Sequence, residues 1–97
     1  MIIAELSIFP TSEGASVSSY VKQAIQIIED SGLKSKTGGM STVIESPDLK
    51  TLFLLIEKTH KAMVERDVKR IHIDLRVDHR LDKEATVDSK LKSIGKD

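Results

Sequence analysis

Residues Ile71 to Asp78 read Ile-His-Ile-Asp-Leu-Arg-Val-Asp, an unbroken alternation of apolar and ionisable side chains. Successive strand side chains point to opposite faces, so this segment is predicted to turn Ile71, Ile73, Leu75 and Val77 toward a core. His72, Asp74, Arg76 and Asp78 then project from the other face. A first strand is predicted over Ile2 to Phe9, closed by Pro10. Its Ala4, Leu6 and Ile8 share one face, and Ile3, Glu5, Ser7 and Phe9 share the other. Leu33 to Thr37 is weakly extended, Gly38-Gly39 offers a hairpin turn or a bulge, and Met40 to Ser46 resumes as a strand.

Between these strands the apolar period changes to that of a helix. Val17, Tyr20, Val21, Ala24, Ile25 and Ile28 make one stripe over Val17 to Ser31, with Ser16 as the expected N-cap and Gly32 as the left-handed terminator. Leu49, Leu52, Phe53, Ile56, His60, Met63 and Val64 trace a second stripe, ending near Arg66 or Asp67. Ser46-Pro47 is its expected start, Ser46 capping and Pro47 at the first helical position. From His79 to Asp97 the chain is polar, but Val87, Leu91 and Ile94 keep helical spacing. A short C-terminal helix is expected there, ordered by docking on another surface.

The predicted order is strand, helix, strand, strand, helix, strand and tail. That is the α+β, ferredoxin-like βαββαβ sandwich with a short C-terminal helix, spanning residues 1–97 as one domain. Both helices are expected on one sheet face. The opposite face, carrying Glu5, Ser7, Phe9, His72, Asp74, Arg76 and Asp78, is expected to be bare within one subunit. The usual strand order is expected to keep the first and last strands off the outer edges.

Composition narrows the function classes. Fifteen basic residues balance fifteen acidic ones, so no basic field exists for nucleic acid, and copies repel one another little. Phe9, Tyr20 and Phe53 are the only aromatic residues of the phenyl and indole kind, too few to stack bases. Without cysteine there is no disulfide framework, thiolate catalysis or Cys-ligated zinc. The apolar N-terminal run is short, lacks a basic leader and meets Glu5, so no signal peptide is expected. No apolar run approaches membrane-spanning length, and a cytoplasmic protein is expected.

Candidate chemistry is sparse. His72, Asp74, Asp78 and His79 include metal-ligand types, but a solvated or salt-bridged sheet face is the ordinary explanation, and no metal site is assigned. His60 reads as a packed histidine. No serine sits in a Gly-x-Ser-x-Gly elbow, and Gly38-Gly39 is not followed by the Lys-Ser/Thr of a phosphate loop. No catalytic residue is assigned, and a non-enzyme is expected. Ser16, Ser18 and Ser19 at a helix start either cap it or turn hydroxyls toward a small polar ligand. Thr37, Met40, Thr42 and Glu45 cross the middle hairpin with the same ambiguity.

Ile-Ala-Glu-Leu-Ser at 3–7, Ser-Val-Ser-Ser-Tyr-Val at 16–21 and Met-Ser-Thr-Val-Ile-Glu at 40–45 occur in one order. With Lys69-Arg70 and Asp78-His79-Arg80-Leu81-Asp82-Lys83, they resemble the small thiamine-binding protein family over nearly the whole chain. The family's hairpin more often carries Pro and Gly around the Met, where this chain has Gly39 and Ser41. The resemblance implies a ferredoxin-like subunit, homo-oligomers, commonly tetramers, assembled through the sheets, and binding of thiamine or its pyrimidine portion without catalysis. Thiamine enters as ligand; no cofactor is implied. Glu45 would neutralise the cationic thiazolium. Ser18, Thr37, Thr42 or nearby backbone groups would meet the aminopyrimidine, with Met40 and Phe9 in apolar contact and Ser7 as a further ligand-binding candidate. The competing reading is a structural or regulatory oligomer whose polar sheet face joins subunits. More remote is a metal-dependent enzyme using His72, Asp74 and Asp78.

Overall fold

Ile2–Pro10 forms β1, Ser18–Asp30 α1, Ser35–Thr37 β2, Thr42–Ser46 β3, Leu49–Val64 α2, Ile71–His79 β4 and Val87–Ser93 α3. The structure is a computed structural model and describes residues 1–96. The final residue of the expected tail, Asp97, lies outside the described residues. The fold is the α+β, ferredoxin-like arrangement expected from the sequence, its four strands antiparallel in the order β2-β3-β1-β4. One expectation about that order fails: of the first and last strands only β1 lies inside, beside β3, and β4 is an outer strand.

The alternation in β1 places Ile2, Ala4, Leu6 and Ile8 in the core beneath the helices, where Ala24, Ile28, Ile44, Leu52, Leu55 and Met63 join them. Burying a large aliphatic side chain contributes about 1.5–3 kcal/mol, so these residues hold the layers together with almost no aromatic help. The same alternation fares differently in β4. Ile71 and Leu75 pack against the core, but Ile73 and Val77 remain 41% and 42% exposed because no helix reaches over that edge.

The helix ends differ from the expected ones. Val17, not Ser16, occupies the N-cap of α1, without a side-chain bond to the helix. Gly32 does supply the left-handed residue after the helix, with φ 83°. Ser46 stays in β3, its hydroxyl donating to the Asp48 carbonyl at 2.8 Å. Asp48 is the cap of α2, and its carboxylate accepts the Thr51 amide at 2.7 Å. The expected stripe of α2 divides between two faces. Leu52, Leu55, Thr59 and Met63 are buried, whereas Leu49, Phe53 and Val64 are exposed, as is His60, which is not packed.

The open sheet face is only partly bare. α3 docks across one end of it, with a capping box formed by Thr86 and Ser89. Val87 donates its amide to Glu45 Oε1 at 2.8 Å, and ion pairs of 2.6 Å join Lys34 to Asp88 and Lys90 to Asp78. The surface expected to order the tail is thus this chain's own sheet.

Candidate functional site

β1 is longer than the strand beside it. Its pairing with β3 ends at Leu6–Thr42, while its pairing with β4 continues to Pro10–Ile71. Ser7, Ile8 and Phe9 therefore have a strand along one backbone edge only, and the loop 38–41 stands off the other. That loop is closed by the Gly38 amide donating to the Ser41 carbonyl at 2.8 Å. Strand mismatch, not a side-chain motif, opens the space.

The resulting cleft has a volume of about 220 Å³. Its floor is Leu6 and Ile8 from β1, and its helical wall is Val17 at the N-cap of α1 with Val21 and Ile25 from the helix itself. The hairpin supplies the polar wall: Thr37, Ser41 and Thr42 together with the backbone of Gly38 and Gly39. Thr37 and Thr42 are cross-strand partners with their hydroxyl oxygens 3.3 Å apart, and Thr42 is buried. No lining residue carries a charge. An apolar slot with a few hydroxyls and backbone groups suits a flat, neutral, polar-edged ring.

A second cleft, of about 340 Å³, lies on the open sheet face and shares Ser7, Phe9, Met40 and Ser41 with the first. Its remaining lining is ionisable: Glu5, His72, Asp74 and Arg76. The Phe9 and His72 rings lie 5.0 Å apart between centroids. Glu5 accepts a hydrogen bond from the Ser41 hydroxyl at 2.9 Å and faces Arg76 Nη1 at 3.8 Å. The hairpin is thereby tied to the strand beneath it.

Of the residues expected at a ligand, Ser7, Phe9, Thr37, Met40 and Thr42 come together around the first cleft. Met40, at the hairpin tip, is 90% exposed and belongs to the loop instead of β3, which begins at Thr42. Ser18 and Glu45 stand apart. Ser18 opens α1 on an exposed surface. Glu45 is 3% exposed beneath α3, held by the Val87 amide and 4.0 Å from Lys34 Nζ. Ser41, Gly38 and Gly39 are lining residues not expected at a ligand, and Glu5, expected on the open sheet face, lines the second cleft there. Ser41 carried a usable signal, since it sits between Met40 and Thr42 at the end of an unequal strand pair. Among the described residues no three His, Asp or Glu side chains converge to hold a metal ion, and no helix is long and apolar enough to cross a membrane.

Comparison with known proteins agrees with this architecture. The model of the family described as "Thiamine-binding protein" matches residues 4–95. A UPF0045 protein of Methanocaldococcus jannaschii is 43% identical over 94 residues, covering 97% of this chain and 92% of that relative. The UPF0045 protein YqgV of Bacillus subtilis is 35% identical over 101 residues, covering 99% and 96%. The crystal structure of a hypothetical M. jannaschii protein superposes with a TM-score of 0.86 at 44% identity, covering 97% of this chain and 95% of that one. A Thermotoga maritima protein provisionally assigned to thiamine biosynthesis or salvage shares the fold, with a TM-score of 0.80 at 18% identity over 96% of this chain and 97% of that one.

Proposed function

Because the chain belongs to the thiamine-binding protein family, we propose that it binds thiamine or its hydroxymethylpyrimidine portion without chemical turnover. The observation that carries this reading is the uncharged cleft between the hairpin and α1, with its Thr37–Thr42 hydroxyl pair. An aminopyrimidine presents donors and acceptors around the rim of an otherwise apolar ring. Thr42, Thr37, Ser41 and the unpaired edge of β1 match such a rim, while Phe9, Val21 and Met40 match its faces. The provisional assignment of the T. maritima structure to thiamine biosynthesis or salvage is consistent with it. Vitamin sensing, buffering or salvage in the cytoplasm is the role this binding would serve. Calorimetry with purified protein tests it: saturable heat with thiamine or hydroxymethylpyrimidine is expected. An absence of both heat and thermal shift would remove the reading.

The competing reading, an assembly domain, has one observation in its favour. The chain exposes 6631 Å², whereas a compact monomer of 10.8 kDa exposes about 5,500 Å². Apolar side chains on the outer surface of α2 and along β4, Phe53, Val64, Ile73 and Val77, contribute to that excess. Assembly and binding are compatible, and a homo-oligomer, most simply a tetramer, is the form in which we place the binding function.

A further inference from the structure

The two edges of the sheet are unlike. β2 ends it on one side with three residues, Lys36 among them, the short and charged form that discourages further pairing. β4 ends it on the other side with nine residues, Ile71–His79, that include no Lys, Pro or Gly. All of them except Ile71 and Leu75 are exposed. Such an edge offers its outer amides and carbonyls to any strand that fits. A strand that continues the sheet must set apolar residues beside apolar ones, because a slip of one residue turns every side chain to the wrong face. For β4 laid antiparallel against its own copy, that condition leaves only registers in which one residue stands opposite itself.

We propose that β4 pairs antiparallel with β4 of a second copy about a two-fold axis at Leu75, so that one sheet runs through both subunits. This deepens the assembly reading given above and rests on it. With Leu75 at the axis, Asp74 falls opposite Arg76 and His72 opposite Asp78, each twice by symmetry. Every carboxylate of the strand then meets a cation or an imidazole. On the apolar side Ile73 falls opposite Val77 and Leu75 opposite itself, which covers the stripe that no helix of the same chain reaches. The neighbouring registers do the reverse. Centring on Asp74 sets that carboxylate against its own copy and His72 against Arg76; centring on Arg76 sets guanidinium against guanidinium and Asp74 against Asp78. Like charges directly opposite destabilise a strand pair. Centring on Ile73 or Val77 pairs only residues 71–75 or 75–79. The groups required are free to pair. Arg76 is exposed and stands 3.8 Å from Glu5, beyond hydrogen-bond distance. Among the described residues Asp74 and His72 take part in no ion pair. The strand is thus complementary to itself in one register, which favours a second copy of this chain over an unrelated partner.

The test is sedimentation velocity of the full chain over a range of concentrations, for the wild type, Asp74→Arg, Arg76→Asp and the double variant. Each single substitution sets like charges opposite at two symmetric positions and is expected to raise the dissociation constant of the pair about tenfold. The double variant exchanges the two charges and is expected to recover assembly to within about threefold of the wild type. Only the register centred on Leu75 gives this rescue, because residues 74 and 76 face each other in no other. Both positions are exposed, so the variants are expected to keep the fold. Cysteine cross-linking reads the register a second way, in a chain that has no cysteine of its own. Opposed Cα atoms lie about 4.5–5.5 Å apart, within disulfide reach, so Leu75→Cys is expected to give a covalent dimer under mild oxidation and Ile73→Cys none. Single charge variants that assemble like the wild type would overturn the inference and leave assembly through another surface standing. So would a double variant no better than the singles, or cross-linking of Ile73→Cys in place of Leu75→Cys. A monomeric wild type would remove both readings.

Discussion

Thr42 carries the polar side of the uncharged cleft almost alone among buried residues. It is 6% exposed, faces Leu6 across the sheet, and shares its hydroxyl with Thr37. Thr42→Val keeps the branched shape of the strand residue and removes the hydroxyl, so the fold is expected to survive while thiamine affinity falls about tenfold, as loss of one ligand hydrogen bond in a desolvated site implies. Asp48 offers a second residue-scale prediction. The hydrogen bond from Thr51 holds its carboxyl below the ordinary 3.8, so its capping contribution is present above that value and is lost as pH falls through the depressed one. Asp48→Ala should therefore lower the Tm at neutral pH, and the difference from wild type should vanish in acid. Such details were only partly legible. Ser46-Pro47 has the composition of a helix start, yet Ser46 pairs with Ile2 within the sheet, which no local signal announces. His60 followed the helical period of its neighbours, but the stripe of α2 is wider than the face the sheet can cover.

At the scale of elements, the β-α-β-β-α-β order was legible because strand and helix periods differ so clearly on either side of each turn. What covers what was less so. The alternation of β4 marks a two-faced strand correctly, but edge position, a property of topology, leaves Ile73 and Val77 half covered. α3 is the other case. Its spacing identifies a helix, while its docking depends on pairs remote in sequence, Glu45 with Val87, Lys34 with Asp88 and Asp78 with Lys90. The two ion pairs are exposed, bind weakly and are screened by salt. The lysines depress Asp78 and Asp88 below 3.8, and Asp88 raises Lys34 above 10.5. The carboxylate contributions are lost as pH falls through the depressed values, and that of Lys34 as pH rises through its raised value. The Val87 amide resonance should accordingly report α3 leaving the sheet in acid, and earlier in high salt. Glu45→Ala removes the carboxylate that accepts the Val87 amide. It should make Lys90 and Lys92 sensitive to trypsin at neutral pH with the rest of the chain intact; unchanged resistance would contradict the docking described.

For the whole molecule, sheet and helices leave one long edge unpartnered. The molecule measures 42 × 27 × 20 Å, and its radius of gyration of 14.3 Å exceeds the roughly 12.5 Å of a compact chain of this length. Balanced charge places no electrostatic barrier between copies. Native mass spectrometry is expected to find a homo-oligomer, and Ile73→Asp, which sets a charge on the apolar side of β4, is expected to reduce its order; a monomeric wild type would contradict this. The candidate site was visible in the sequence through Phe9, Thr37, Met40 and Thr42, because a hairpin between two strands brings them to one end of the sheet. Ser41 was not, because its place at the cleft depends on β3 beginning only at Thr42 and leaving the end of β1 unpaired. The central claim is that the hairpin cleft binds the pyrimidine of thiamine. Its most direct test is calorimetric titration of thiamine into wild type and Thr42→Val under identical conditions. Saturable binding by the wild type, weakened about tenfold in a variant of unchanged fold, is the expected result; equal affinities, or no heat from the wild type, would contradict it.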